Sequence, residues 1–177
     1  MRLFTAIDLP EAVQERLSMI SCGLPGARWV VPEQLHLTLR FIGEKDGSEL
    51  RGVMDTLAEV RCAPFQLQLQ GVGFFPPRKK PRLVWVGVDE NEALNSLYRS
   101  IESALVRAGM EPEGRKYAPH ITLARLRNTP AAKVGNWLGQ HSQLFFMPFQ
   151  VDGFQLYSSV LNERGARHYI EAEYSLG

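Results

Sequence analysis

Two of the four histidines in the chain lie in near copies of one short frame, "HLTL" at 36–39 and "HITL" at 120–123. In a strand, residues two apart share a face, so His36 with Thr38, and His120 with Thr122, would leave one face while the apolar residues between them enter the core. One histidine alone on a strand is commonly only a hydrogen-bonded structural residue. The repetition favours a functional pair.

Two histidines suit acid and base catalysis at one centre, because a side-chain pKa near 6.5 lets one ring accept a proton while the other donates one. The threonine hydroxyls can donate hydrogen bonds to anionic oxygens, and a nearby arginine would add positive charge. The group held between the two frames is most simply a phosphate.

Arg125 and Phe41 each lie five positions after a frame histidine, which puts them on the wrong face of a regular strand. We therefore expect Arg125 where its strand ends or bulges. Two roles stay open for each residue: Arg125 is a phosphate ligand or an ordinary surface arginine, and Phe41 stacks on a base or packs in the core.

Other catalytic chemistries fit the sequence poorly. Neither frame carries a Cys, Asp or Glu two or three positions after its histidine, as a zinc site would need. The chain has neither a GxSxG elbow nor a GxxxxGK[ST] phosphate loop. We predict catalysis with no metal and no cofactor.

The elements that position the frames form a repeated order of strand, helix and histidine strand. The first copy has a strand at 2–9, a helix at 11–20 and a strand at 35–42; the second has a strand at 82–90, a helix at 92–108 and a strand at 120–124. This duplication predicts an α+β fold with two pseudo-symmetric lobes around a central cleft, each lobe an antiparallel sheet backed by helices.

The remaining segments complete that fold. We expect a helix at 48–60 capped by Ser48, a half-buried strand at 65–72, and a turn or loop at "GFFPPRKKP", residues 73–81. A short helix at 131–138 and strands at 145–157 and 166–174 follow. The basic cluster of the loop, at 78–82, is either a solvated loop or a contact for an RNA backbone.

Length and composition limit the classes to which the protein can belong. The chain has 177 residues, 45% of them hydrophobic, which predicts one domain over 1–177 that folds without a partner and acts as a monomer. A net charge of +1 excludes a generally basic nucleic-acid binder, so any phosphate site must be local. Two cysteines in no paired spacing, an N-terminus unlike a signal peptide and the lack of a long apolar run predict a cytoplasmic protein with no membrane contact.

The frames and their surroundings resemble the RNA 2′,3′-cyclic phosphodiesterases, the bacterial and archaeal 2′-5′ RNA ligase family of the 2H phosphoesterase superfamily. The similarity spans "RLFTAIDLP" at the start, the segment from Trp29 to Glu44, "PRLVWVGV", "PHITLAR" and "LYSSVLNERGARHY". It implies hydrolysis of RNA 2′,3′-cyclic phosphate ends to 2′-phosphates without a metal, tRNA fragments being one candidate substrate, and a reversible 2′-5′ ligase activity.

The same resemblance implies a role for each matching residue. His36 would be the proton donor to the leaving 3′ oxygen and His120 the proton acceptor that activates water. Thr38, Thr122 and Arg125 would bind the phosphate, and Phe41 would stack on the terminal base. The alternatives are a non-catalytic module that binds RNA ends or phosphate, and a cyclic phosphodiesterase acting on small nucleotides.

Overall fold

Ten strands and four α-helices are formed by the residues that the computed structural model describes, 1–163 and 165–177. The strands are β1 Arg2–Asp8, β2 Ala27–Trp29, β3 His36–Glu44, β4 Phe65–Leu67, β5 Leu69–Phe75, β6 Leu83–Val88, β7 His120–Leu126, β8 Phe149–Val151, β9 Gly153–Asn162 and β10 Gly165–Ser175. The helices are α1 Glu11–Ile20, α2 Gly47–Ala58, α3 Glu92–Arg107 and α4 Ala131–Gln140, and a 3₁₀ turn, Pro32–Gln34, precedes β3.

The two frame histidines are each the first residue of a strand, and the two strands lie in different sheets. The first sheet has the order β10-β9-β1-β3 and the second the order β2-β7-β6-β5, with every neighbouring pair antiparallel. In each sheet the histidine strand pairs with the strand that starts its own copy of the repeat. The predicted α+β architecture with two similar lobes is confirmed.

The order of the strands in the sheets differs from their order along the chain. β2, which precedes the first histidine strand in sequence, pairs with β7 in the second sheet, and the C-terminal hairpin of β9 and β10 completes the first sheet beside β1. A small third sheet pairs β4 with β8. Each sheet therefore contains segments from distant parts of the chain.

Alternating burial fixes the faces of the histidine strands. Leu37, Leu39, Ile121 and Leu123 are buried, and all four belong to one cluster of buried hydrophobic residues that includes side chains from both sheets. Removing an aliphatic side chain of this kind from water contributes about 1.5 to 3 kcal/mol. A slip of one residue would expose these side chains, so the core holds the histidines on the opposite face.

The helices cover the sheets with apolar stripes. On α3, Leu94, Leu97, Ile101 and Leu105 recur at helical spacing and are buried. The N-cap of α2 is Asp46 rather than the predicted Ser48. Its carboxylate accepts hydrogen bonds from the backbone N–H groups of Ser48 and Glu49, and the Glu49 side chain accepts from the Asp46 N–H, which completes a capping box.

Three further predictions were wrong in detail. The strand expected at 145–157 is two strands, β8 in the small third sheet and β9 in the first sheet. The strand expected at 65–72 is two strands in different sheets, because β4 pairs with β8 whereas β5 pairs with β6. The turn expected at 73–81 begins later, since Gly73 to Phe75 continue β5. Gly73 lies under the indole of Trp85, where a Cβ would come within 2.2 Å of the ring, so this glycine serves packing rather than a turn.

Neither cysteine forms a disulfide, in agreement with the sequence. Within the described residues, no helix combines the length and the apolar character that crossing a membrane requires.

Candidate active site

Both frame histidines are held in the same way by the backbone. Nδ1 of His36 lies 2.7 Å from the carbonyl oxygen of Gln34, and Nδ1 of His120 lies 2.7 Å from that of Ala118. Because a carbonyl only accepts hydrogen bonds, each Nδ1 carries a proton and donates it. The other ring nitrogen, Nε2, is therefore the one left to accept or donate a proton in each histidine.

The two histidine strands approach each other across the cleft. The Tyr117 hydroxyl, three residues before His120, donates a hydrogen bond of 3.3 Å to the backbone oxygen of Thr38. The Tyr117 ring stacks on Tyr98 of α3, with ring centroids 4.2 Å apart. The rings of His36 and His120 are close enough that the charge of His120 acts on His36. The two predicted catalytic residues are thus brought together.

The surroundings of His36 disfavour its charged form. Burial lowers its pKa most, the hydrogen bond to Gln34 partly offsets that effect, and the charge on His120 lowers it further. The desolvating neighbours are aromatic: the rings of Phe4 and Tyr157 have centroids 5.1 and 6.3 Å from that of His36. Protonation of His36 is therefore harder in the protein than in water.

Bulges bring Phe41 and Arg125 onto the catalytic face. In β3, Thr5 of β1 is opposite Arg40 and Ala6 is opposite Thr38, so the register skips Leu39. In β7 the register against β6 skips Leu123 in the same way. Two consecutive residues are buried at each bulge, and the next residue, Phe41 or Arg125, is exposed.

The predicted bulge before Arg125 is confirmed, and the interpretation of Phe41 as a core residue is wrong. Phe41 is 58% exposed, and its ring lies 5.9 Å from that of Phe4 between centroids. Arg125 is near enough to the first sheet that its charge lowers the pKa of His168 in β10.

The threonines of both frames are half-buried beside their histidines. Within the described part of the chain, neither the Thr38 nor the Thr122 hydroxyl makes a hydrogen bond, whereas the hydroxyl of Tyr117 has a partner. Their donor capacity is therefore available to an anionic ligand.

A third histidine, His168, belongs to the site and is absent from the residues selected by sequence. Its ring meets that of His36 edge-on, with centroids 5.5 Å apart, and that of Phe4 at 5.0 Å. Burial, then the charges of His36 and Arg125, lower its pKa to about 4. It is therefore neutral at pH 7. Its place in "LYSSVLNERGARHY" was the only sequence signal.

The ring of His120 has its own aromatic neighbours. The Phe75 ring lies 5.0 Å away in an edge-on arrangement, and the Trp85 ring lies at 6.4 Å. Both come from the other strands of the second sheet, so each lobe surrounds its histidine with rings of its own. Around this site and elsewhere in residues 1–163 and 165–177, no three His, Cys, Asp or Glu side chains are placed to hold a metal ion.

Two antiparallel sheets that present paired histidines to one cleft are the arrangement of a two-histidine phosphoesterase. The chain belongs to the 2′-5′ RNA ligase superfamily, whose family model matches residues 9–163.

Curated relatives and solved structures agree with this assignment. The chain is 34% identical to the RNA 2′,3′-cyclic phosphodiesterase of Archaeoglobus fulgidus, over 93% of this chain and 94% of the relative. It is 35% identical to the enzyme of the same name from Thermotoga maritima, over 93% and 90%.

Two crystal structures share the fold along almost the whole chain. The protein TT0787 of Thermus thermophilus superposes with a TM-score of 0.83 at 29% identity, covering 99% of this chain and 97% of that one. E. coli LigT complexed with 3′-AMP gives 0.77 at 27% identity, covering 99% and 97%. These matches extend over both histidine frames.

Proposed function

We propose that this protein hydrolyses the 2′,3′-cyclic phosphate at the 3′ end of RNA and leaves a 2′-phosphate. The observation that carries the proposal is the matched pair of His36 and His120, each with Nδ1 bound to a backbone carbonyl and Nε2 left for chemistry. The names of the curated relatives, RNA 2′,3′-cyclic phosphodiesterases, support the same reaction.

In the proposed reaction, water attacks the phosphorus as His120 Nε2 takes one of its protons. The bond between phosphorus and the 3′ oxygen breaks, and His36 Nε2 gives its proton to that oxygen. The products are a 2′-phosphate and a 3′-hydroxyl, and exchange of one proton with solvent resets the two rings. No metal or cofactor takes part in these steps.

Binding of the anionic substrate would prepare His36 for its role. The protein alone lowers its pKa, but a phosphate anion beside the ring favours the protonated form. The proton would therefore be taken up with the substrate. Thr38 and Thr122 would donate hydrogen bonds to the phosphate oxygens, and Arg125 would balance the developing charge.

Phe41 is proposed to bind the terminal base. Its exposed ring lies on the face that carries His36, five residues along the same strand, so a base could stack on it while the phosphate lies between the histidines. Both histidines come from one chain, so we propose that the monomer is active. A cytoplasmic location and tRNA fragments as substrates remain part of this proposal.

The same site would support ligation. If the 5′-hydroxyl of a second RNA replaced water as the nucleophile, breaking the bond to the 3′ oxygen would leave a 2′-5′ linkage, and the two histidines would keep their roles. The family description, which names RNA ligase, favours this second reaction.

Phosphorus NMR of an oligonucleotide 2′,3′-cyclic phosphate incubated with the protein tests the proposal. We expect conversion to the 2′-phosphate, with kcat reduced about 10²-fold or more in His36→Ala and in His120→Ala. His141→Ala, at the end of α4, is the matched control and should retain activity. Binding without turnover by the wild-type protein would instead indicate a phosphate-binding module.

A further inference from the structure

A pocket of about 600 Å³ lies against the second histidine strand, outside the space between the two histidines. Its lining residues come from the end of β5, the loop that follows, the start of β6, and β7: Phe75, Pro76, Lys79, Lys80, Arg82, Leu83 and Arg125. Four of these residues are cations, and no carboxylate lines the pocket among the described residues.

The pocket lies next to His120 of the proposed catalytic site. Arg125, the proposed phosphate ligand, is one of its walls and lies on the same strand as His120. Phe75, another wall, contacts the His120 ring at a centroid distance of 5.0 Å. A molecule whose phosphate sits between the histidines could therefore extend directly into this pocket.

The positive charge of the pocket is not neutralised by the protein. In the part of the chain that the structure describes, Lys79, Arg82 and Arg125 make no salt bridge, and Lys80 bonds only the neutral Asn128 side chain, at 3.0 Å. Arg28 of β2 lies directly opposite Arg125 across the sheet. Like charges facing each other across a sheet destabilise it unless an anion lies nearby.

Arg40, a basic residue elsewhere in the molecule, differs from the cations of this pocket because it has carboxylate partners. Arg40, next to another pocket, is bound by the carboxylate of Glu102, lies 4.0 Å from that of Glu113, and donates to the Glu111 carbonyl. Its charge is satisfied internally. Since the whole chain carries a net charge of only +1, the cations beside the active site are a local concentration of charge.

The shape and chemistry of the pocket fit a chain of nucleotides better than a single anion. Its volume lies within the range of about 300 to 1,000 Å³ that holds ligands much larger than one phosphate. Flexible lysines bind phosphates as point charges without a fixed geometry, and the apolar wall of Phe75 and Pro76 offers a surface for a base or ribose.

We propose that this pocket binds the backbone phosphates of the nucleotides on the 5′ side of the terminal cyclic phosphate. The proposal rests on the proposed function, and of the two sequence alternatives for the loop at 78–82 it adopts RNA contact. It makes the protein an enzyme for RNA chains rather than for mononucleotides.

A substrate length series tests this. We expect kcat/KM to rise from a nucleoside 2′,3′-cyclic phosphate to a tetranucleotide with the same terminal group. In Lys79→Ala/Lys80→Ala, the ratio of tetranucleotide to mononucleotide kcat/KM should fall roughly tenfold. Arg51→Ala/Arg107→Ala, which removes two exposed cations from α2 and α3, should leave that ratio unchanged.

A binding measurement separates this proposal from the proposed function. For a 3′-phosphorylated tetranucleotide, the slope of log K against log salt should become shallower by about 1.4 in the lysine variant, because each lost phosphate contact in a single strand contributes about 0.7. An unchanged slope and an unchanged length ratio would overturn the pocket assignment even in an active enzyme. Equal affinity of the wild-type protein for the tetranucleotide and for a 5′-phosphorylated mononucleotide would also overturn the pocket assignment. An inactive wild-type protein that keeps the slope difference would overturn only the hydrolysis.

Discussion

The two histidine strands, β3 and β7, are alike up to the bulge and differ after it. Both place a histidine at the first position with Nδ1 bound to the carbonyl two residues earlier, and both place a threonine two residues on. At the bulge, β3 has Arg40 followed by Phe41, whereas β7 has Ala124 followed by Arg125. The histidine and threonine that both strands share suit proton transfer. The residues that differ at and after the bulge suit binding of a substrate.

This difference separates what the two strands share, a histidine and a threonine placed alike, from the two positions after them that make the cleft asymmetric. The side of β3 offers an exposed aromatic ring, and the side of β7 offers a guanidinium beside a basic pocket. An RNA end is asymmetric in the same way, with a base on one side and a charged backbone on the other. Variants on each side of the cleft test the two halves of this comparison.

Arg40→Ala makes the bulge of β3 like that of β7 and should have the largest effect on stability. Glu102 and Glu113 would lose their buried partner, and breaking such a pair costs about 3 to 5 kcal/mol. Urea unfolding measures the change. Arg99→Ala is the control, since its pair with Glu92 is exposed to solvent and contributes little to stability. A loss equal to the control would mean that Arg40 is not a structural residue.

Arg125→Ala should lower kcat/KM about 100-fold, because removing one preorganised group that stabilises transition-state charge has about that effect. Steady-state hydrolysis of a mononucleotide cyclic phosphate measures it without the pocket contribution from a longer RNA. Arg125→Lys should restore part of the rate by returning the charge. Equal activity in the alanine variant and the wild type would remove Arg125 from the phosphate site.

Phe41→Ala should raise KM and leave kcat nearly unchanged. Loss of one base stacking contact costs about 1 to 3 kcal/mol, and the stacked base is remote from the bonds that change. Phe41→Trp, which keeps an aromatic face, is the matched variant and should preserve KM. A fall in kcat with KM unchanged would place Phe41 in the chemistry instead.

His168→Phe should have an effect confined to acidic pH, on the pH dependence of stability. The pKa of His168 is about 4 in the folded protein and near 6.5 when unfolded. The unfolded chain therefore binds more protons between these values, and this contribution, present above pH 6.5, is lost as pH falls toward 4. The melting temperature of the wild type should fall more steeply over this window than that of the variant.

A parallel measurement on Arg51→Ala, which removes one exposed positive charge from α2, controls for changes in net charge. If His168→Phe and the wild type lost stability equally between pH 6.5 and 4, His168 would not be held neutral by its neighbours.

The sequence predicted the parts of the site that depend on local pattern. The alternation around His36 and His120 determined which side chains leave the core. The parity of Arg125 required that its strand end or bulge there, and the structure contains a bulge. The cap of α2 was predicted wrongly at Ser48, although Asp46 and Glu49 have the spacing of a capping box.

What the sequence left undetermined depends on pairing between distant segments. Gln68 carries no turn signal, so nothing local shows that β4 and β5 join different sheets. Gly73 resembles a turn residue until the ring of Trp85 is placed over it. His168 reaches His36 only because β10, β9, β1 and β3 lie side by side. The roles of the site residues, and one domain over 1–177, stay predictions.

The most direct test of the central claim, that His36 is the acid and His120 the base, replaces the bridging 3′ oxygen of the cyclic phosphate with sulfur. A thiolate leaves without a proton, because a thiol has a pKa of about 8.5. Single-turnover rates on this substrate should approach the wild-type rate in His36→Ala and remain low in His120→Ala. Equal recovery of both variants, or recovery of His120→Ala alone, would contradict the assignment.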